Sequence, residues 1–163
     1  MQTNDYVSTT IRYLRNYNLY QQFVTNTTLE IEDIKRRLAE EPLKIANYGT
    51  GHAGGASEMT CTESSAEQRL KLLERIQKLA FDLQEVKSLL DRIDRSMAHL
   101  SDEGRTAIVI FYMNNNGYEA VARKLNYSVR WSRTITKKAV EQLAIMLFGI
   151  SVEKDILFIK APM

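Results

Sequence analysis

Cysteine and histidine are nearly missing from this chain: Cys61, His52 and His99 are the whole supply in 163 residues. A lone cysteine excludes an internal disulfide, and one cysteine with two histidines excludes a Cys/His zinc site of the usual ligand count. Neither histidine has a ligand partner close in sequence, so His52 reads as a loop residue and His99 as a helix-surface residue. Cys61 has no paired histidine to activate it as a nucleophile. Turn formers are also scarce, with two prolines and seven glycines. That scarcity favours long uninterrupted helices over an all-β chain cut by frequent turns.

Long apolar runs are absent as well. The longest nearly apolar stretch is 107–113, far short of the roughly 20 residues that cross a bilayer. The N-terminus, Met1-Gln2-Thr3-Asn4-Asp5-Tyr6, has no basic region leading into an apolar core, so no signal peptide is expected. The expectation is a cytoplasmic protein that does not engage a membrane. The Asn-x-Ser/Thr matches at Asn26 and Asn126 then carry no glycosylation meaning. A Gly-Lys-Ser/Thr phosphate loop is missing too. Gly49-Thr50-Gly51-His52-Ala53-Gly54 fits G-x-G-x-x-G, but neither the strand before it nor the helix after it that a dinucleotide site needs is evident. Asp91 and Asp94 alternate with Arg92 and Arg95, as on an ion-paired helix surface. No catalytic group, metal or cofactor is expected, and the chain reads as a non-enzyme.

What is present is helical periodicity. Apolar residues make up 44% and charged residues 26% of the chain, the balance of an ordinary globular protein. Tyr13, Tyr17, Tyr20, Val24, Thr27, Ile31, Ile34 and Leu38 follow one another at steps of four and three. Tyr6 and Thr10 extend this seam, and Glu40-Glu41-Pro42 ends it, so residues 1–41 hold one long helix. Residues 42–64 carry Gly49, Gly51, Gly54 and Gly55 without periodicity and read as a flexible linker. A second seam runs Leu72, Ile76, Leu79, Leu83, Val86, Leu90, Ile93, Met97 and Leu100, which places a second long helix over 65–100. Leu70, Leu73, Ala80 and Leu89 widen its apolar face. The face therefore has room for the first helix and for a further partner. Two such helices form an antiparallel hairpin or pair between chains, and periodicity alone does not choose.

The character changes after Leu100. Ser101 can cap a helix whose first turn holds Asp102 and Glu103. Asn114-Asn115-Asn116-Gly117 stops it. A short helix over 118–125, a turn at Asn126-Tyr127 and a longer helix from about Val129 to Leu147, capped by Ser128, complete a unit over 101–148. This is the layout of a helix-turn-helix, whose second helix enters the DNA major groove. Val121, Ala122 and Leu125 are spaced to pack against Ile135, Ala139 and Leu143. The tail 149–163 contains Ile156-Leu157-Phe158-Ile159, an apolar run suited to packing or a partner.

Charge supports the same reading. The chain carries 22 basic and 20 acidic residues, a net of +2, but the excess is local. Residues 1–99 hold 13 basic and 14 acidic residues, whereas 100–149 hold 7 and 4. Arg123, Lys124, Arg130, Arg133, Lys137 and Lys138 occur between 123 and 138 without one acid. Arginine and lysine neutralise phosphates, and arginine also grips a guanine edge with two hydrogen bonds.

From Leu100 to Leu147 the chain resembles region 4 of bacterial sigma factors. The matching residues are Ala120-Val121-Ala122-Arg123-Lys124-Leu125, Asn126-Tyr127-Ser128 and Lys138-Ala139-Val140-Glu141-Gln142-Leu143. Asn126 replaces the family's turn glycine, and Trp131-Ser132 stands where Thr-Val is common. The tyrosine-rich first helix, glycine-rich linker, long helix and C-terminal unit together resemble the ArpU/RinA-like regulators of phages and prophages. That resemblance implies sequence-specific activation of late genes on double-stranded DNA, in a bacterial host cell and in contact with its RNA polymerase. It implies Arg130, Arg133, Thr134 and Lys137 as base readers, and Arg123, Lys124, Ser128 and Lys138 as phosphate contacts. Trp131 has two readings: burial against the first helices, which is preferred, or contact with a thymine methyl or sugar. Self-association through the long helices is a further expectation. The competing functions are a small terminase subunit, which also joins DNA-binding helices to an oligomerising region, and a helical adaptor that binds RNA polymerase alone.

Overall fold

The computed structural model of the chain describes residues 5–40, 55–149 and 152, with the backbone alone over 55–65. The described residues are helical, with no strand among them. Helix α1 is Asp5–Arg15, α2 Tyr17–Glu40, α3 Gly55–Ala98, α4 Asp102–Ile108, α5 Tyr118–Leu125 and α6 Val129–Phe148, with a π-helical turn at Val109–Met113 after α4. No described helix is long and apolar enough to cross a membrane.

Two boundaries differ from the expected ones. The first long helix is interrupted at Asn16, although Asn16 N–H still donates to the Arg12 carbonyl (3.1 Å) and Tyr20 N–H to the Asn16 carbonyl (2.9 Å). The interruption is therefore a local irregularity in a nearly continuous hydrogen-bond ladder. The second long helix opens at Gly55 rather than at residue 65. Residues 55–64 have no apolar repeat, and periodicity detects only helices with one buried face. The expected linker 42–64 is thus helical from 55 on, and its remainder lies outside the described residues. So does Gly49–Gly54, after which a helix does open at once. The apolar run Ile156–Ile159 lies outside them too.

The chain divides into two compact units, one from Met1–Gln22 with Lys87–Met163, the other Phe23–Val86. The division falls inside α2 and α3. In the unit Phe23–Val86, Thr27, Ile31 and Ile34 of α2 are buried, which is the predicted seam. Arg75 of α3 pairs with Glu30 of α2, and Arg69 Nη1 donates to the Leu38 carbonyl at 2.9 Å. Rising numbers in α2 meet falling numbers in α3. Thr28 returns its hydroxyl proton to the Val24 carbonyl at 2.7 Å, which satisfies it within its own helix.

In the other unit the core joins Leu14 of α1, Ile93, Met97 and Leu100, Ile108 and Tyr112, and Ala139, Val140, Leu143 and Leu147 of α6. Here α1 packs on α6, so the start of the N-terminal helix belongs with the C-terminal helices. Tyr6 and Tyr13 bring their rings 5.3 and 6.3 Å from that of Phe148. Two arginines close helix ends whose carbonyls lack intrahelical partners. Arg92 donates to the Leu147 carbonyl at the end of α6. Arg105 donates to the carbonyls of Met97 and Ala98, both at 3.1 Å, and of Leu100 at 3.4 Å, at the end of α3. Cations at helix C-termini also suit the helix dipole. Gly104 permits the approach of α4 to α6: a Cβ there would stand 3.2 Å from that of Ala139 and 3.1 Å from Ser101 Oγ.

Candidate nucleic-acid interface

Local geometry at the α5–α6 junction follows from three residues. Asn126 ends α5 in the left-handed region, with φ 56° and ψ 40°. Asparagine enters this region more readily than other non-glycine residues, so it fills the place of the turn glycine. Tyr127 N–H then donates to the Ala122 carbonyl at 3.0 Å. Ser128 caps α6: its Oγ accepts from Trp131 N–H at 3.2 Å, as an N-cap side chain does. Ser101 does the same for α4, accepting from Gly104 N–H at 3.2 Å. Both caps are the expected ones.

The buried face of α6 comprises Ser132, Thr136, Ala139, Val140, Leu143, Ala144 and Leu147. Two of these are polar, and each is satisfied within the helix. Ser132 Oγ donates to the Ser128 carbonyl at 3.1 Å, and Thr136 Oγ1 to the Ser132 carbonyl at 2.8 Å. This arrangement overturns the preferred reading of Trp131, which is 49% exposed. The face begins at Ser132, one residue and about 100° further round the helix, so Trp131 turns outward. Of the expected packing partners, Val121, Ala122, Ala139 and Leu143 are buried, while Leu125 and Ile135 are half-buried. Thr136, which was not among the expected packing residues, is fully buried.

The remaining candidates lie at the surface. Arg123, Lys124, Ser128, Arg130, Arg133, Lys137 and Lys138 are exposed and Thr134 is half-buried. The ion pairs found among the described residues lie elsewhere, on Asp33, Glu67, Glu30 and Asp102. Around α6, Thr134 and Lys138 stand opposite the buried face and Arg130 and Lys137 on its exposed flank, by the 3.6-residue repeat. Thr134 Oγ1 donates to the Arg130 carbonyl at 3.2 Å, which leaves its oxygen as an acceptor. Glu141 follows one turn after Lys137 and closes the basic stretch.

Arg133 is held differently. Its guanidinium carbon lies 5.2 Å from the ring centre of Tyr118, within cation–π range. Tyr118 in turn stacks on Phe111, with centroids 4.0 Å apart and planes at 20°. Phe111 belongs to the π-helical turn, where Asn114 N–H reaches the Val109 carbonyl at 2.9 Å. A run of three β-branched residues, Ile108-Val109-Ile110, leads into that wider turn. Asn18 Nδ2 donates to the Met113 carbonyl at 2.9 Å and satisfies its last residue.

The sequence reading missed two residues beside the basic cluster. One is Tyr118. The other is Tyr127, 40% exposed, whose hydroxyl donates to Glu103 Oε1 at 2.7 Å. That hydrogen bond, with the carboxylate's charge, pushes the Tyr127 hydroxyl above its ordinary pKa. It also draws Glu103 toward Tyr127. No spacing signal marks either tyrosine, since both contacts join residues of different helices or turns. No family model, curated protein or solved structure matches the chain.

Proposed function

We propose that this chain is a sequence-specific double-stranded-DNA-binding regulator of transcription, with α5 and α6 acting as a helix-turn-helix and α6 as its reading helix. One observation carries the reading: exposed Arg130, Lys137 and Lys138 on the outward side of α6, with Arg123 and Lys124 before the turn and no acid from 123 to 138. A surface of that kind neutralises backbone phosphates and carries arginine to base edges. Arg130, Arg133, Thr134 and Lys137 are the base-reading set. Arg123, Lys124, Lys138 and the start of α6 at Ser128 address phosphates. With Trp131 exposed, its contact with a thymine methyl or sugar joins the proposal.

The arm is an antiparallel hairpin of α2 and α3, a reading supported by the opposed order of the Arg75–Glu30 and Arg69–Leu38 contacts. The resemblance to ArpU/RinA-like regulators extends the proposal to activation of phage or prophage late genes together with host RNA polymerase. Footprinting on DNA from upstream of such genes tests it. The expected result is one short protected site, and Arg130→Ala should weaken specific binding by about 1–3 kcal/mol. Uniform protection of all sequences, or unchanged affinity of the variant, would overturn the reading.

A further inference from the structure

We propose that residues 66–84 of α3 form the surface on which a second copy of this chain pairs, parallel and in register. The proposal stands on the unit Phe23–Val86 alone and does not depend on DNA binding.

The half-buried seam of α3 in this unit, Leu72, Ile76, Leu79, Leu83 and Val86, does not use up its apolar residues. Ala66, Leu70, Leu73, Gln77, Ala80 and Gln84 follow one another at steps of four and three, and all six are exposed. Leu70 is 57%, Leu73 44% and the adjacent Phe81 64% exposed. The steps are those of a coiled-coil seam, and the stripe spans about 27 Å at ~1.5 Å per residue. Not one of its six positions is charged. The charges of this stretch, Glu67, Arg69, Lys71, Glu74, Arg75, Lys78, Asp82 and Glu85, lie beside it or behind it.

The flanks choose the occupant and its direction. On one side of the stripe stand Glu67, Glu74 and Phe81; on the other stand Arg69, Ile76 and Leu83. In a parallel pair, a residue on the second flank meets the partner residue five positions later on the first flank. Arg69 then meets the second copy's position 74, a glutamate, and Ile76 meets position 81, a phenylalanine. Two-fold symmetry makes each contact twice. An antiparallel pair centred on the stripe sets the two Glu74 carboxylates against each other and faces Glu67 with Phe81. Charge therefore matches only in the parallel arrangement. Gln77 and Gln84 inside the seam restrict slippage, as polar residues do at such positions.

Sedimentation equilibrium of the full chain across the micromolar range tests the pairing. The expected mass is twice that of the chain, falling to the single-chain mass for Leu73→Glu combined with Phe81→Glu. Both side chains are exposed, so unchanged helical circular dichroism is expected and separates lost pairing from lost folding. A wild-type monomer, a ring of many copies, or a dimer that survives the double substitution would overturn the proposal. Direction is read from Ala66→Cys in a Cys61→Ser background. Disulfide-linked dimers on mild oxidation support the parallel register, and their absence overturns it.

Discussion

A hydroxyl hydrogen-bonded to a carboxylate shows how much single residues contribute. Tyr17 Oη donates to Asp94 Oδ1 at 2.6 Å. Burial, reinforced by that hydrogen bond and the charge of Asp94, pushes its pKa up to about 12 from 10.0. A group whose pKa rises on folding stabilises the fold fully below its unfolded pKa, and the contribution is lost as pH climbs through the folded value. Stability should therefore fall between pH 10 and about 12, and Tyr17→Phe should flatten that fall. Urea melts of both proteins at the two ends of this window read the difference. Tyr112 moves the same way, first through burial, with the guanidinium of Arg15 opposing it. At this scale the sequence was partly legible. The seam foresaw Tyr17 as a packing residue but not its bond to a residue 77 positions away. Gly104 likewise carries no sign in the sequence that Ala139 would approach it.

Among the elements, the α5–α6 junction is the most sharply specified. Ser128 as cap and Asn126 in the left-handed region both follow from residue chemistry, and both residues stand where the turn was expected. Asn126→Val should destabilise the unit by roughly 1–2 kcal/mol, because a β-branched residue resists positive φ. Asn126→Gly should be neutral or slightly stabilising, because glycine adopts that φ without strain. Thermal melts of the two variants check the order, and equal losses would show that the turn conformation is not the determinant. The misplacement of Trp131 has a related origin. Counting apolar residues favoured its burial, but Ser132 and Thr136 were free to be buried once their hydroxyl protons found carbonyls four residues back. A seam built partly of small polar residues is invisible to an apolar count. The π-helical turn was equally hidden, since a run of branched and aromatic residues suits an ordinary helix as well.

For the whole chain, a net charge of +2 hides the property that matters for the proposed function. Binding to DNA should depend on salt far more steeply than that small charge suggests, because counterion release counts local phosphate contacts. Replacing Lys138 with alanine should lower the slope of log affinity against log salt by about 1 and weaken all sequences alike. Fluorescence anisotropy across a salt series gives the slope, and a change confined to one sequence would move Lys138 into the base-reading set.

The sequence by itself determined the helical class and most helix positions, though not the extension of α3 over 55–64 or the π-helical turn, because periodicity, capping residues and the scarcity of proline and glycine are local facts that need no tertiary knowledge. It also located the basic stretch from 123 to 138, since charge can be counted along a chain. Only the tertiary structure decided which faces were covered. It set α1 on α6, turned Trp131 outward, laid Arg133 over Tyr118 and left Leu70, Leu73 and the neighbouring Phe81 exposed. The reason is physical. A helix forms from contacts within a few residues, whereas burial depends on which distant surface arrives, and neither residue type nor spacing records that.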